Sequence, residues 1–189
     1  MLPFVVTGEY LNVNTIEDLN LANFLCRTEA FDEQRVSVVI PAYNEAASIG
    51  HVVRDFRGLV DEVVVMDNES SDGTAELARQ AGATVHSKPL RGYGHALKAG
   101  MDAASGDILV LVEADFTFRA RDLSKLLEYL KDADMVVGTR TTRQMIEQGA
   151  NMDGLLRWGN VAVGKLIEVL WWPVEPRFTD VGCTYRAIW

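Results

Sequence analysis

The feature that most constrains this chain is a repeated unit: a short aliphatic run, a polar loop, then a stretch with helical spacing. Val36-Ser37-Val38-Val39-Ile40 and Val63-Val64-Val65-Met66 read as strands, and Thr84-Val85-His86, Ile108-Leu109-Val110-Leu111-Val112 and Met135-Val136-Val137-Gly138 continue the series. Helices are predicted over about residues 45–57, 74–80 and 121–130, with another running to about residue 104 and Gly82 stopping the second. Uninterrupted apolar strands alternating with helices predict an α/β fold, a mostly parallel sheet with helices on both faces. Such sheets bind ligands beyond the carboxyl ends of their strands. Acids and amides cluster there, as Asn44-Glu45, Asp67-Asn68 and Glu113-Asp115. Asp72, ahead of Gly73-Thr74, suits either a helix cap or a ligand contact.

A chain of 189 residues, 48% apolar and 24% charged, can bury one such domain and is not compositionally disordered. The net charge of −9 opposes general binding to a phosphate backbone, so nucleic acid is not an expected partner. Cys26 and Cys183 lie far apart and make no metal-binding or Cys-x-x-Cys spacing, which reads as free thiols in a reducing compartment. No signal-peptide pattern opens the sequence and no run of 18 apolar residues occurs, so a cytoplasmic protein is expected.

The paired acids Glu113-Ala114-Asp115 follow a fully apolar strand. A buried strand ending this way delivers hard oxygen ligands to the rim of the sheet, where a divalent cation and a diphosphate can meet.

Several blocks in series carry a resemblance: Val38-Val39-Ile40-Pro41-Ala42-Tyr43-Asn44-Glu45, then Val65-Met66-Asp67-Asn68-Glu69-Ser70-Ser71-Asp72-Gly73-Thr74, then the spaced acids. They resemble the nucleotide-sugar-dependent glycosyltransferases of family 2. More narrowly, over about residues 36–188, they are similar to the polyprenyl-phosphate (dolichol-phosphate) mannosyl- and glucosyltransferase branch. The resemblance implies a GT-A, Rossmann-like fold, a nucleotide-sugar donor, and Mg²⁺ or Mn²⁺ bridging its diphosphate. It implies that Pro41, Tyr43 and Glu45 line the nucleoside pocket, that Asp67 contacts base or ribose, and that Arg91 lies near the diphosphate. Glu113 and Asp115 match the family's D-x-D, with Asp115 the better candidate for direct metal ligand. Gly138-Thr139-Arg140 resembles a G-S-R block whose Arg binds the acceptor phosphate. Residues 179–186 resemble D-x-x-S-G-[FY]-R-A, with Asp180 and Arg186 matching and Cys183-Thr184 replacing Ser-Gly.

Two departures stand out. Glu113 is one methylene longer than the usual Asp, and Thr117 stands where the branch commonly has a metal-binding Gln. A lipid-phosphate acceptor is already anionic and attacks without losing a proton, which accounts for the lack of an evident base; with a hydroxyl acceptor Asp180 is the best base candidate. His86 and His95 are expected to be packed or solvated rather than catalytic. The glycines of Arg91-Gly92-Tyr93-Gly94 lack the third glycine of a dinucleotide-binding loop, since position 97 is Leu.

The flanks differ. Residues 1–35 hold one expected helix, over about residues 15–25, with Thr15 as cap and Asp18 three residues on. Tyr10-Leu11-Asn12-Val13-Asn14-Thr15-Ile16-Glu17-Asp18-Leu19 resembles the closing segment of nucleotidyltransferases, which implies the tail of a preceding domain, with the glycosyltransferase domain over residues 36–189. The stop at Trp189, just after the Arg186 block, gives the expectation of a carboxyl-terminal truncation. Residues 140–152 read as a mobile loop, and residues 155–172 as an apolar helix bearing Trp158, Trp171 and Trp172. Core or oligomer packing is the first expectation for these tryptophans; contact with the cytoplasmic membrane face near a lipid acceptor is the second. Two other readings of the whole stay open: a nucleotidyltransferase making a nucleotide-sugar, and a non-catalytic nucleotide-sugar binding module. A Pro-Ala-Tyr-Asn-Glu loop after the first strand, in place of a Gly-rich basic one, argues against the former.

Overall fold

Every residue of β1 (Val36–Ala42) is buried. Successive side chains of a strand point to opposite faces, so this pattern requires cover on both sides of the sheet. The computed structural model describes residues 13–29, 31–87, 92–139, 154–171 and 180–189. The chain divides into two units, Met1–Gln34 and Arg35–Trp189.

The larger unit contains a six-stranded sheet in the order β3-β2-β1-β4-β6-β5. β2 (Glu62–Asp67) runs parallel to β1, in register from Ser37 opposite Glu62 to Ala42 opposite Asp67. β3 (Thr84–Ser87) extends β2 on its far side, and β4 (Ile108–Leu111) pairs parallel with the other side of β1. The chain thus builds outward from β1 to β3 and then crosses back to β4. The point where this order reverses lies between β1 and β4, the crevice where open α/β sheets bind ligands.

β6 (Arg186–Ile188) is antiparallel and sits between β4 and β5 (Met135–Val137). It escapes sequence pattern because Arg186-Ala187-Ile188 is not an aliphatic run, unlike the equally short β5. The five other strands appear where the aliphatic runs predicted them.

Helices α2 (Ile49–Arg57), α3 (Thr74–Gln80), α4 (Tyr93–Ala103) and α5 (Leu123–Leu130) join the strands. α2 starts later than its pattern suggests, because Asn44 takes a left-handed φ of 54° and the Ser48 amide closes a turn on the Glu45 carbonyl. Gly82, at φ 100°, ends α3 as expected. Glycine at position 100 lets α4 rest on β1: a Cβ there would lie 2.5 Å from Val39 Cγ1.

At the amino edge of the sheet, buried Ser37 donates to Glu62 Oε2 at 2.6 Å and accepts the Gly106 amide at 2.9 Å. The Ser105 amide donates to the same Glu62 oxygen at 2.8 Å. This edge is spent on holding strands together.

The last described helix of this unit, α6 (Gly154–Leu170), differs from expectation. Trp158 and Trp171 are exposed, at 77% and 54%, as are Leu155, Leu166 and Val169 along the helix. Among the described residues they are not packed in the core; Trp172 lies outside the described residues. No helix among the described residues is long and apolar enough to cross a membrane.

In the smaller unit, α1 (Ile16–Glu29) opens with a reciprocal capping box. Thr15 donates its amide to Asp18 Oδ2 at 2.9 Å, and the Asp18 amide donates to Thr15 Oγ1 at 3.1 Å.

Candidate active site

A cavity of about 400 Å³ opens beyond the carboxyl ends of β1 and β2, lined by Pro41, Ala42, Tyr43, Asn68, Gly92, Tyr93 and Ala96. β1 supplies one wall and the first turn of α4 another. Tyr43 and Tyr93 stand half exposed on it, offering two aromatic faces to a planar ligand. Sequence reading placed Pro41 and Tyr43 here, but it singled out Arg91 rather than Tyr93. The signal was Gly92-Tyr93-Gly94 at the head of α4, where Gly92 takes φ 127° and sets the chain into the helix.

Asp67 ends β2, in register with lining residue Ala42 and next to lining residue Asn68. It is 4% exposed. Its Oδ2 accepts the Ser70 amide at 3.3 Å, whereas Oδ1 has no hydrogen-bond partner among the described residues. A buried carboxylate oxygen without a partner is costly and calls for an external donor. The N–H of a nucleobase or a ribose hydroxyl would supply one.

The loops after β1 and β2 are stitched together. The Asn44 amide donates to Ser70 Oγ at 2.9 Å and the Ser71 amide donates back to Asn44 Oδ1 at 3.0 Å. Asp72 uses both oxygens in this seam, Oδ2 on the Ala46 amide at 3.0 Å and Oδ1 on the Thr74 amide at 3.1 Å. Its hydrogen bonds from Thr74, and then from Ala46, hold its carboxyl below the usual range. Asp72 is therefore a loop tie, and Gly73 rather than Asp72 takes the cap position of α3. Glu45 does not line the cavity; its Oε2 accepts the Ser48 hydroxyl at 2.9 Å, ahead of α2.

The acids Glu113 and Asp115 lie just past β4, across the switch point from the β1 loop. Glu113 is partly buried, and Asp115 is exposed with Oδ1 accepting the Thr117 amide at 2.9 Å. Burial and then the Glu113 charge push the Tyr93 phenol upward, with Arg186 acting in the opposite sense. Tyr93 thus lines the cavity and feels the charges of Glu113 and Arg186. Arg186 reaches this place because β6 pairs it with Leu111, two residues before Glu113, and its Nε donates to the Cys183 carbonyl at 3.1 Å.

Asp180, 2% exposed, accepts the Gly182 amide at 3.1 Å in the turn leading to β6. Cys183 carries a buried thiol in the same turn. Arg91 and Arg140 lie outside the described residues, as do residues 140–152; the Gly138 amide leading toward Arg140 donates to the Tyr185 carbonyl at 2.8 Å.

Among the described residues the left-handed non-glycine positions are Asn44, Glu69 and Phe116, one in each loop after β1, β2 and β4. Such conformations cluster where a site needs them.

No group of three or more His, Cys, Asp or Glu side chains among the described residues forms a ready-made metal cage. One or two carboxylates completed by substrate phosphates is the usual arrangement for Mg²⁺, and Glu113 with Asp115 fits it.

The sequence profile described as "Glycosyl transferase family 2" matches residues 37–181, which includes both sides of this crevice. The chain belongs to glycosyl transferase family 2. It is 37% identical over 145 residues to a dolichyl-phosphate hexose transferase of Haloferax volcanii, covering 74% of this chain and 60% of that one. It is 36% identical over 171 residues to an undecaprenyl-phosphate 4-deoxy-4-formamido-L-arabinose transferase of Aeromonas hydrophila, covering 82% and 49%. The chain therefore spans about half the length of these curated relatives. The glucosyl-3-phosphoglycerate synthase of Mycobacterium tuberculosis, solved with Mn²⁺, UDP and phosphoglyceric acid, superposes with a TM-score of 0.61 at 26% identity. That likeness covers 95% of this chain and 61% of the synthase. The GT-A arrangement expected of a family 2 glycosyltransferase, a mostly parallel sheet flanked by helices, is the fold found here.

Proposed function

We propose that this family 2 chain is a metal-dependent, inverting glycosyltransferase that moves a sugar from a UDP- or GDP-sugar to a phosphate-bearing acceptor, polyprenyl phosphate being the first candidate. The observation that carries the donor side is Asp67, a buried carboxylate with one oxygen lacking a partner beside a cavity of about 400 Å³. A nucleoside placed there, between Tyr43 and Tyr93, directs its diphosphate toward Tyr93, Glu113 and Asp115.

Asp115, with Glu113 beside it, would hold the metal. When bound, Mg²⁺ or Mn²⁺ neutralises charge that develops on the leaving diphosphate. The remaining work falls to the protein. The acceptor oxygen forms a bond to the anomeric carbon as the bond from that carbon to the diphosphate breaks on the opposite face, inverting its configuration. A phosphate acceptor arrives deprotonated, so no base is needed. Arg186, with its planar pairs of donors, is suited to orient that phosphate, and Arg140 is assigned the same role by its motif. A hydroxyl acceptor would instead require a base, and Asp180 remains that candidate.

Two relatives named for transfer to polyprenyl phosphates and a structural neighbour solved with a phosphorylated acid support an anionic acceptor. A lipid acceptor would bring the chain to the cytoplasmic membrane face, and the exposed apolar residues of α6 are compatible with that. The test is a donor screen over UDP-, GDP- and dTDP-sugars with Mn²⁺, with and without polyprenyl phosphate, reading nucleoside diphosphate release. Turnover of one donor that rises with the lipid phosphate supports the reading, and no release from any donor sinks it.

A further inference from the structure

Asp55 lies on α2, far in sequence from the acid turn, and yet it binds Arg119 and Ala120, just beyond that turn. Its Oδ2 accepts Arg119 Nε at 3.1 Å and the Ala120 amide at 2.8 Å, while Oδ1 accepts Arg119 Nη2 at 3.4 Å. The Arg119 hydrogen bonds, with the Ala120 amide and the charges of Arg119 and Arg121, hold the Asp55 carboxyl below its usual range against the effect of burial.

The guanidinium so fixed stacks 4.3 Å above the ring of Phe116. Phe116 directly follows Asp115 and takes a φ of 64°, a left-handed conformation that an aromatic residue rarely adopts unaided. His51, one turn before Asp55 on the same helix, places its ring 6.0 Å from Phe116. Across this left-handed turn the Thr117 amide donates to Asp115 Oδ1 at 2.9 Å. On the other side, the Arg119 carbonyl accepts the Tyr185 hydroxyl at 3.4 Å, and Tyr185 precedes Arg186. Arg119 thus meets the acid turn through its guanidinium over Phe116, and the residue before Arg186 through its backbone carbonyl.

We propose that Asp55 and Arg119 are positioning residues: the pair clamps Phe116 in its left-handed turn and so presents Asp115 and Glu113 to the metal-diphosphate group. This rests on the function proposed above. An ordinary surface ion pair would be nearly neutral to activity. A clamp behind a ligand is not, since residues that orient metal ligands typically change metal affinity by about 10- to 100-fold when altered.

The full chain, as wild type, Asp55→Asn and Arg119→Lys, would be titrated by calorimetry with UDP and with GDP across a range of Mn²⁺ concentrations, alongside thermal unfolding. The expected result is that Asp55→Asn raises the Mn²⁺ concentration for half-maximal nucleotide binding by roughly tenfold. Arg119→Lys keeps the charge but loses the planar stack, and should move the value in the same direction by less. A lowered unfolding temperature with an unchanged Mn²⁺ requirement would show a merely structural pair and overturn the clamp. If Asp55→Asn fails to fold, Arg119→Lys decides by the same criterion. A wild type that shows no Mn²⁺-dependent nucleotide binding would overturn the proposed function and this inference with it.

Discussion

Asp67, at the end of β2, and Asp72, five positions on in the loop that follows, have opposite fates. Asp72 is consumed by three neighbouring donors, while Asp67 keeps an oxygen that nothing in the described chain meets. Sequence motif singled out Asp67 as the nucleotide contact and left Asp72 between cap and ligand; only the hydrogen-bond partners separate them. Replacing Asp67 by Asn keeps the shape and removes a buried charge. Kinetics should show a donor KM raised by the loss of about 1–3 kcal/mol, with an unfolding temperature equal to or above that of the wild type. A fall in stability with unchanged KM would instead make Asp67 structural. The two acids past β4 should also be unequal. Asp115→Ala is expected to lower kcat/KM on the order of 100-fold or more, and Glu113→Gln much less, because Asp115 is the exposed member, next to the left-handed turn at Phe116.

At the scale of elements, the aliphatic runs revealed β1, β2 and β4 because buried parallel strands need unbroken apolar residues on both faces, and the more exposed β3 and β5 followed from shorter runs in the same alternation. What stayed hidden was β6, which opens on Arg186 and carries no aliphatic run, and the route by which it brings Arg186 beside the end of β4. The clamp on Phe116 was equally invisible, since Asp55 and Arg119 meet across 64 positions and neither lies in a motif. Trp158 and Trp171 lie outside the core that was half of their first expectation: helical spacing of aromatics marks an apolar face, but not what covers it. Contact between α4 and β1 makes a sharper prediction. Gly100→Ala pushes a methyl to 2.5 Å from Val39 Cγ1, which a buried β-branched side chain cannot yield. Denaturant unfolding should report a loss of about 1–3 kcal/mol. An unchanged midpoint would mean that α4 does not seat on β1 as described.

Across the larger unit the two edges of the sheet divide their tasks. The carboxyl edge carries the left-handed turns, the cavity and the paired acids, while the amino edge carries Ser37, Glu62, Ser105 and Gly106. Burial pushes the Glu62 carboxyl up, but hydrogen bonds from Ser37 and Ser105 and the Arg35 charge outweigh it and leave the group below its usual range. A depressed carboxyl contributes stability above the unfolded pKa and loses it as pH falls through the folded one. Ser37→Ala should therefore cost about 1–3 kcal/mol at neutral pH, with the difference narrowing in acid and the acid-unfolding midpoint moving to higher pH. Catalysis, at the other edge, should be unaffected at temperatures where the variant is folded; a changed donor KM would contradict this separation. Metal-dependent sugar transfer at the carboxyl edge would be read as nucleoside diphosphate release from UDP- and GDP-sugars with Mn²⁺ and polyprenyl phosphate. The expected result is release from one of these donors by the wild type, lost on chelation of the metal and in Asp115→Ala; full activity in that variant, or release indifferent to metal, would contradict it.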